Sequence, residues 1–141
     1  MTQERINELY DDYDNAVKRL AEALRTDVKK GSIAVDGTIQ RYEFTFELAW
    51  KLLRSILEYN GINAATPRIA IKEAYRAGII SKGEEWIDML EDRNKTSHVY
   101  DEAQALAIYR KIKRKHFRPL DALRAEAKKI AKTPSGFGKK K

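Results

Sequence analysis

Apolar residues recur every three or four positions along most of this chain, the spacing that gathers side chains on one face of an α-helix. Ile6, Leu9, Tyr10, Tyr13, Val17, Leu20 and Leu24 make one such stripe and predict a first helix from about Thr2 to Val28. After Gly31-Ser32, a longer pattern runs from Ile39 through Tyr42, Phe46, Trp50, Leu53 and Leu57 to Asn60-Gly61, a typical helix stop. Phe44, Leu48 and Leu52 add a second stripe, which predicts a helix buried on more than one side. Aromatic rows at helical spacing belong to a core more often than to a ligand site, so Phe46 and Trp50 are assigned to the core.

Local signals divide the rest. Thr66-Pro67 offers an N-cap with proline at the first helical position, and Ala77-Gly78 offers a stop, so a short third helix is expected from about Pro67 to Ala77. Ser81 with Glu84 three residues later reads as a capping box opening a fourth helix through Trp86, Met89 and Leu90 toward Arg93. A fifth begins near Asp101 and carries Leu106, Tyr109, Ile112, Phe117, Leu120, Leu123 and Ile130. Pro119 should kink or break it, because proline lacks the donor and clashes with the preceding turn. Alternating strand patterns, internal repeats and Gly-rich phosphate loops are missing from the sequence. The expected fold is all-α, an up-and-down antiparallel bundle of about five helices over residues 1–131, followed by a flexible basic tail over 132–141.

The chain has 141 residues, 43% of them hydrophobic, enough for one core. It has no cysteine, which excludes disulfides and thiolate metal sites, and no apolar run as long as a membrane span. The N-terminal segment lacks the apolar core of a signal peptide, so a cytoplasmic protein with no membrane contact is expected. His98 and His116 are the only histidines, and the acids near them in sequence form no recognisable ligand spacing, so neither metal nor cofactor is expected. Charge is uneven: from Ile108 onward there are 13 Lys and Arg against two acids, whereas the preceding residues hold 15 basic and 19 acidic ones. A basic end on a mildly acidic body suits a polyanion. Basic residues do not identify that polyanion; Arg110, Lys111, Lys113, Arg114, Lys115 and Arg118 are the candidate contacts to its phosphates, though only some can face one groove.

The residues with the most chemistry lie in the run Arg93-Asn94-Lys95-Thr96-Ser97-His98-Val99-Tyr100. Histidine takes or gives a proton near neutral pH, and arginine grips phosphate in a planar fork. On an unbroken helix, residues five apart are turned by about 140°, so Arg93 and His98 would not face one ligand. Either the fourth helix ends near Thr96-Ser97 and the chain turns, or Arg93 and His98 meet opposite partners in a symmetric dimer. Asn94 and His98, four apart, would share a helical face. An extended segment would put His98 and Tyr100 on one side.

This Arg-x4-His-x-Tyr run resembles the signature of HEPN-domain proteins of the HepT type. The flanks resemble the allied nucleotidyltransferase substrate-binding family, through Phe44-Thr45-Phe46-Glu47-Leu48-Ala49-Trp50-Lys51-Leu52-Leu53 and Trp86-Ile87-Asp88-Met89-Leu90-Glu91-Asp92-Arg93-Asn94. The resemblance implies a HEPN-like bundle that forms a homodimer with the motif near the cleft between protomers. It also implies a minimal nucleotidyltransferase as partner. In HepT-type members the dimer is a metal-independent ribonuclease toxin, which the partner silences by adenylating the motif tyrosine. Carried over, Arg93 and His98 are catalytic, Asn94 supports them, Tyr100 is the modified residue, and the substrate is an RNA such as tRNA or mRNA. The alternative is a non-catalytic subunit that binds nucleotide or substrate for a two-component nucleotidyltransferase.

Overall fold

A computed structural model of the chain describes residues 2–26 and 32–134, and it is all-helical there. Helix α1 (Gln3–Leu24) opens on Thr2, whose side chain accepts the Arg5 N–H, and ends before Val28; residues 27–31 lie outside the described residues. Helix α2 (Ser32–Tyr59) is the axis of the bundle. It is followed by α3 (Pro67–Arg76) and α4 (Gly83–Lys95), with a 3₁₀ turn over Thr96–His98. Helix α5 (Glu102–Lys111) continues through a π-helical turn (Ile112–His116) into α6 (Phe117–Lys132). With α5 and α6 joined end to end, the described residues form five helical rods, as the apolar pattern predicts.

The core lies around α2. Tyr42, Phe46, Ala49, Leu52, Leu53, Ile56 and Leu57 are buried between α1 on one side and α3, α4 and α5 on the others. Trp50 and Phe46 are core residues, and Phe46 packs near Trp86 of α4. The second stripe is only half realised. Leu52 is fully buried, but Phe44 is 58% exposed because no described element covers that face of α2. Polar groups lock the layers: the buried Tyr13 hydroxyl donates to the Leu120 carbonyl, and the Tyr42 hydroxyl to that of Met89. Buried donors without such acceptors would be costly.

Two boundaries depart from the local signals. The Ser81-Glu84 capping box does not form, since Lys82 is the flanking residue of α4 and no side chain caps its first turn. The preceding turn explains this: Gly78 has a φ of 81°, and the N–H groups of Ile79 and Ile80 point to the Ala74 carbonyl, which seats both isoleucines in the core. The helix restarts only at Gly83, with Glu84 and Glu85 complementing its dipole. Left-handed backbone at Gly78 disfavours a Cβ, so Gly78→Ala is expected to lower the unfolding free energy by about 1 kcal/mol, measured by urea denaturation.

The break expected at Pro119 occurs one turn earlier. Proline sits in the first turn of α6, just after the π turn, where the Phe117 N–H reaches the Ile112 carbonyl. Of the tail expected over 132–141, only Lys132, Thr133 and Pro134 fall within the described residues. Gln3 donates to the Lys132 carbonyl and Asn60 to that of Pro134, which is buried, while residues 135–141 lie outside the described residues. No helix among the described residues is long and apolar enough to cross a membrane.

Candidate active site

Helix α4 ends at Lys95, where the sequence requires an end if Arg93 and His98 are to act together. After it comes a single 3₁₀ turn, then extended backbone at Val99. Asp101 caps α5 by accepting the Gln104 N–H, and the Gln104 side chain accepts the Tyr100 N–H. These bonds fix the short linker between two helix ends. His98 and Tyr100 project from it side by side: His98 Nδ1 is 3.2 Å from the Tyr100 hydroxyl, and their rings meet edge to face. Both are exposed, Tyr100 at 80%.

Arg93 is directed elsewhere. It lies beside α2, 3.7 Å from Glu43 and 3.8 Å from Glu47, and its buried Nε has no hydrogen-bond partner. The Thr96 hydroxyl is shared between Glu43 and the Arg93 carbonyl. These loose contacts leave guanidinium N–H groups facing an open cleft of about 660 Å³ between α1, α2 and α4. Arg19, Gln40, Arg41 and the exposed Phe44 line the same cleft; His98 is not among its walls. Asn94 is exposed near the end of α4, and its carbonyl accepts the Ser97 hydroxyl.

Glu43, Glu47 and Thr96 are site residues that the sequence does not single out. The signal is present in part: two acids four apart in the densest apolar helix share a face. The missing information is the partner, since nothing local says that α4 lies against that face.

The second histidine has a different environment. His116, in the π turn, is buried and places Nε2 2.6 Å from Asp92, while its ring stacks on Tyr42. Lys111 bridges Asp92 at 2.8 Å and Asp88 at 2.9 Å. Burial would raise the Asp92 carboxyl, but hydrogen bonds from Lys111 and His116 outweigh it and hold the group below its ordinary range. Burial also pushes the His116 imidazole down, against the pull of Asp92. Oxygens of Asp88 and Asp92 and a His116 nitrogen lie within 4.8 Å of one another, a metal-like grouping that sequence spacing concealed. The Lys111 ammonium binds both carboxylates of that grouping, supplying the positive charge a cation would bring.

The basic candidates separate accordingly. Lys111 is engaged by Asp88 and Asp92, and Lys113 lies 6.0 Å from the Tyr109 ring centre. Arg114, Lys115 and Arg118 are exposed along the wall of a groove at the opposite end of α4, and Arg110 is exposed outside it.

Residues 8–129 match the family of proteins described as nucleotidyltransferase substrate binding protein like. Over 83 residues the chain is 35% identical to a probable ribonuclease HepT of Haemophilus influenzae; the match covers 55% of this chain and 57% of that protein. The chain thus spans little more than half the length of that curated relative. A crystal structure of a protein from Thermus thermophilus aligns with a TM-score of 0.70 at 28% identity, covering 84% of this chain and 98% of the other.

Proposed function

Because the chain belongs to the nucleotidyltransferase substrate binding protein like family, we propose that it is the ribonuclease toxin of a pair whose other member is a minimal nucleotidyltransferase. The observation that carries this reading is the exposed His98–Tyr100 pair just past the end of α4, five residues beyond an arginine that faces an open cleft. The curated name of the Haemophilus influenzae relative supports it.

The chemistry needs no metal. RNA supplies its own nucleophile: one imidazole removes the 2′-hydroxyl proton as that oxygen attacks phosphorus, and a second protonates the 5′-oxygen as its bond to phosphorus breaks. The product is a 2′,3′-cyclic phosphate and a free 5′-hydroxyl. Two His98 copies across a homodimer dyad supply base and acid. Arg93, held in place by Glu43 and Glu47, receives the charge that develops on the phosphoryl oxygens. Asn94 orients the substrate or His98. The second protomer of the proposed dimer supplies the second imidazole.

Tyr100 serves as the off-switch. Its hydroxyl attacks the α-phosphorus of ATP bound by the partner, pyrophosphate leaves, and adenylate remains on the oxygen that is 3.2 Å from His98 Nδ1. The new phosphate then occupies the space that the RNA phosphate needs. Tyr100→Phe is expected to retain cleavage within a few-fold of wild type, yet to take up no radiolabel from α-labelled ATP in the presence of the partner.

A second reading has its own support. The family description, together with a cleft that holds the exposed Phe44 beside Arg19, Arg41 and Arg93, suits a subunit that binds nucleotide without cleaving RNA. Expression without the partner separates the two. Growth arrest relieved by His98→Ala supports the toxin; harmless expression with tight nucleotide binding supports the subunit.

A further inference from the structure

At the far end of α4 from Arg93, the α3–α4 connection and the start of α6 enclose a groove of about 410 Å³. Its cations are Lys82, Arg114, Lys115 and Arg118, and its only acids are Glu85 and Glu126. All four cations are exposed, and among the described residues none of them has a carboxylate within ion-pair distance. Unpaired cations drawn from separate elements into one groove repel each other, an arrangement without a structural benefit of its own.

The π turn creates this convergence. In a continuous α-helix Lys111 would share a face with Arg114, Lys115 and Arg118. The extra residue of the π turn rotates the start of α6 by roughly 100° relative to α5. Lys111 is left facing Asp88 and Asp92, while Arg118 faces the α3–α4 connection beside Lys82. A helix register that would otherwise be uniform is thereby divided between a buried ion network and an open cationic groove.

We propose that this groove is a second RNA-binding site, distinct from the Arg93 and His98 residues, that holds phosphates of a single strand. Arginine forks fit phosphate oxygens in two parallel hydrogen bonds, and two of the four cations are arginines. Four cations against two acids leave the groove net positive, as a phosphate chain requires. From Glu85 to Arg93 is about 12 Å along α4, so a strand seated in the groove must run several nucleotides to reach His98. The groove then selects long single strands over short ones. The identification of the polyanion as RNA rests on the ribonuclease reading; the anion site itself does not.

Binding of a fluorescein-labelled 2′-O-methyl RNA strand, which lacks the nucleophile, tests this by fluorescence anisotropy on the full chain. The triple variant Arg114→Ala, Lys115→Ala, Arg118→Ala should bind at least about 10-fold more weakly, and its log–log salt slope should be smaller by roughly 2. Lys128→Ala, Lys129→Ala, Lys132→Ala removes the same charge outside the groove and should stay within about 3-fold of wild type. All six side chains are exposed, so both variants should retain the wild-type circular dichroism spectrum. Equal losses in the two triples, or no loss in either, overturn the proposal. Unchanged RNA binding with lost capture of the partner nucleotidyltransferase overturns it as well, assigning the groove to protein. If wild type binds RNA through the groove but cleaves none, the groove stands and the ribonuclease reading fails.

Discussion

Replacing His98 by alanine is expected to reduce RNA cleavage by roughly 10²–10⁴-fold, with little change in thermal stability. The size follows from its role, since in a symmetric dimer one substitution removes both the base and the acid. The lack of a stability effect follows from its position. His98 is exposed, hydrogen-bonds to the exposed Tyr100, and lies outside the core. Arg93→Lys should be nearly as damaging to cleavage, because an ammonium cannot offer a phosphate the two parallel hydrogen bonds of a guanidinium. Initial rates on a labelled single strand, read beside melting curves, separate this from a folding defect. If the His98→Ala protein cleaves like wild type, His98 is not catalytic.

The second large effect is on stability. Asp92→Ala should lower the unfolding free energy by about 3 kcal/mol, toward the low end of what breaking a buried ion pair costs. Asp92 is 2% exposed and accepts from both Lys111 and the equally buried His116. Without it, His116 loses its acceptor, while Lys111 keeps Asp88, which limits the damage. Asp88→Ala, at the more exposed end of the network, should cost less than about 1 kcal/mol. Urea unfolding curves measure both.

The same network sets a pH dependence. His116 is held below its unfolded value of 6.5, so the unfolded chain binds its proton more readily than the folded one. Its contribution is full above pH 6.5 and is lost as the pH falls through its lower folded value. Asp92, held below 3.8, adds a second loss at still lower pH, where its carboxyl protonates and releases Lys111 and His116. Stability should therefore decline toward acid in two stages. A profile flat from pH 7 to pH 5 would place His116 in an environment that does not disfavour its charge.

The sequence discloses features set by neighbours along the chain and conceals those set by packing. Thr66-Pro67 and Asp101 act where they stand, because a cap needs only backbone N–H groups two or three residues ahead. The end of α4 near Thr96 is one of two arrangements that the 140° between residues five apart on a helix leaves open, the other being a site shared by two protomers. Phe44 departs from its expected burial because its stripe does not reveal that the facing side of α2 is left uncovered. The Ser81 capping box yields to the burial of Ile79 and Ile80, which sets where the chain can restart a helix. Nothing in the sequence around His116 points to Asp92, 24 residues earlier, as the group it faces. Glu43 and Glu47 stand out only once α4 places Arg93 beside them.

The central claim is that two His98 copies and Arg93 cleave RNA through the RNA's own 2′-hydroxyl. Incubating the purified full chain with RNA in EDTA, and resolving the ends of the fragments, tests it most directly. Fragments ending in 2′,3′-cyclic phosphate, undiminished by EDTA and absent with His98→Ala or Arg93→Ala, are the predicted result. Equal cleavage by all three proteins, or cleavage that stops when EDTA is added, would contradict it.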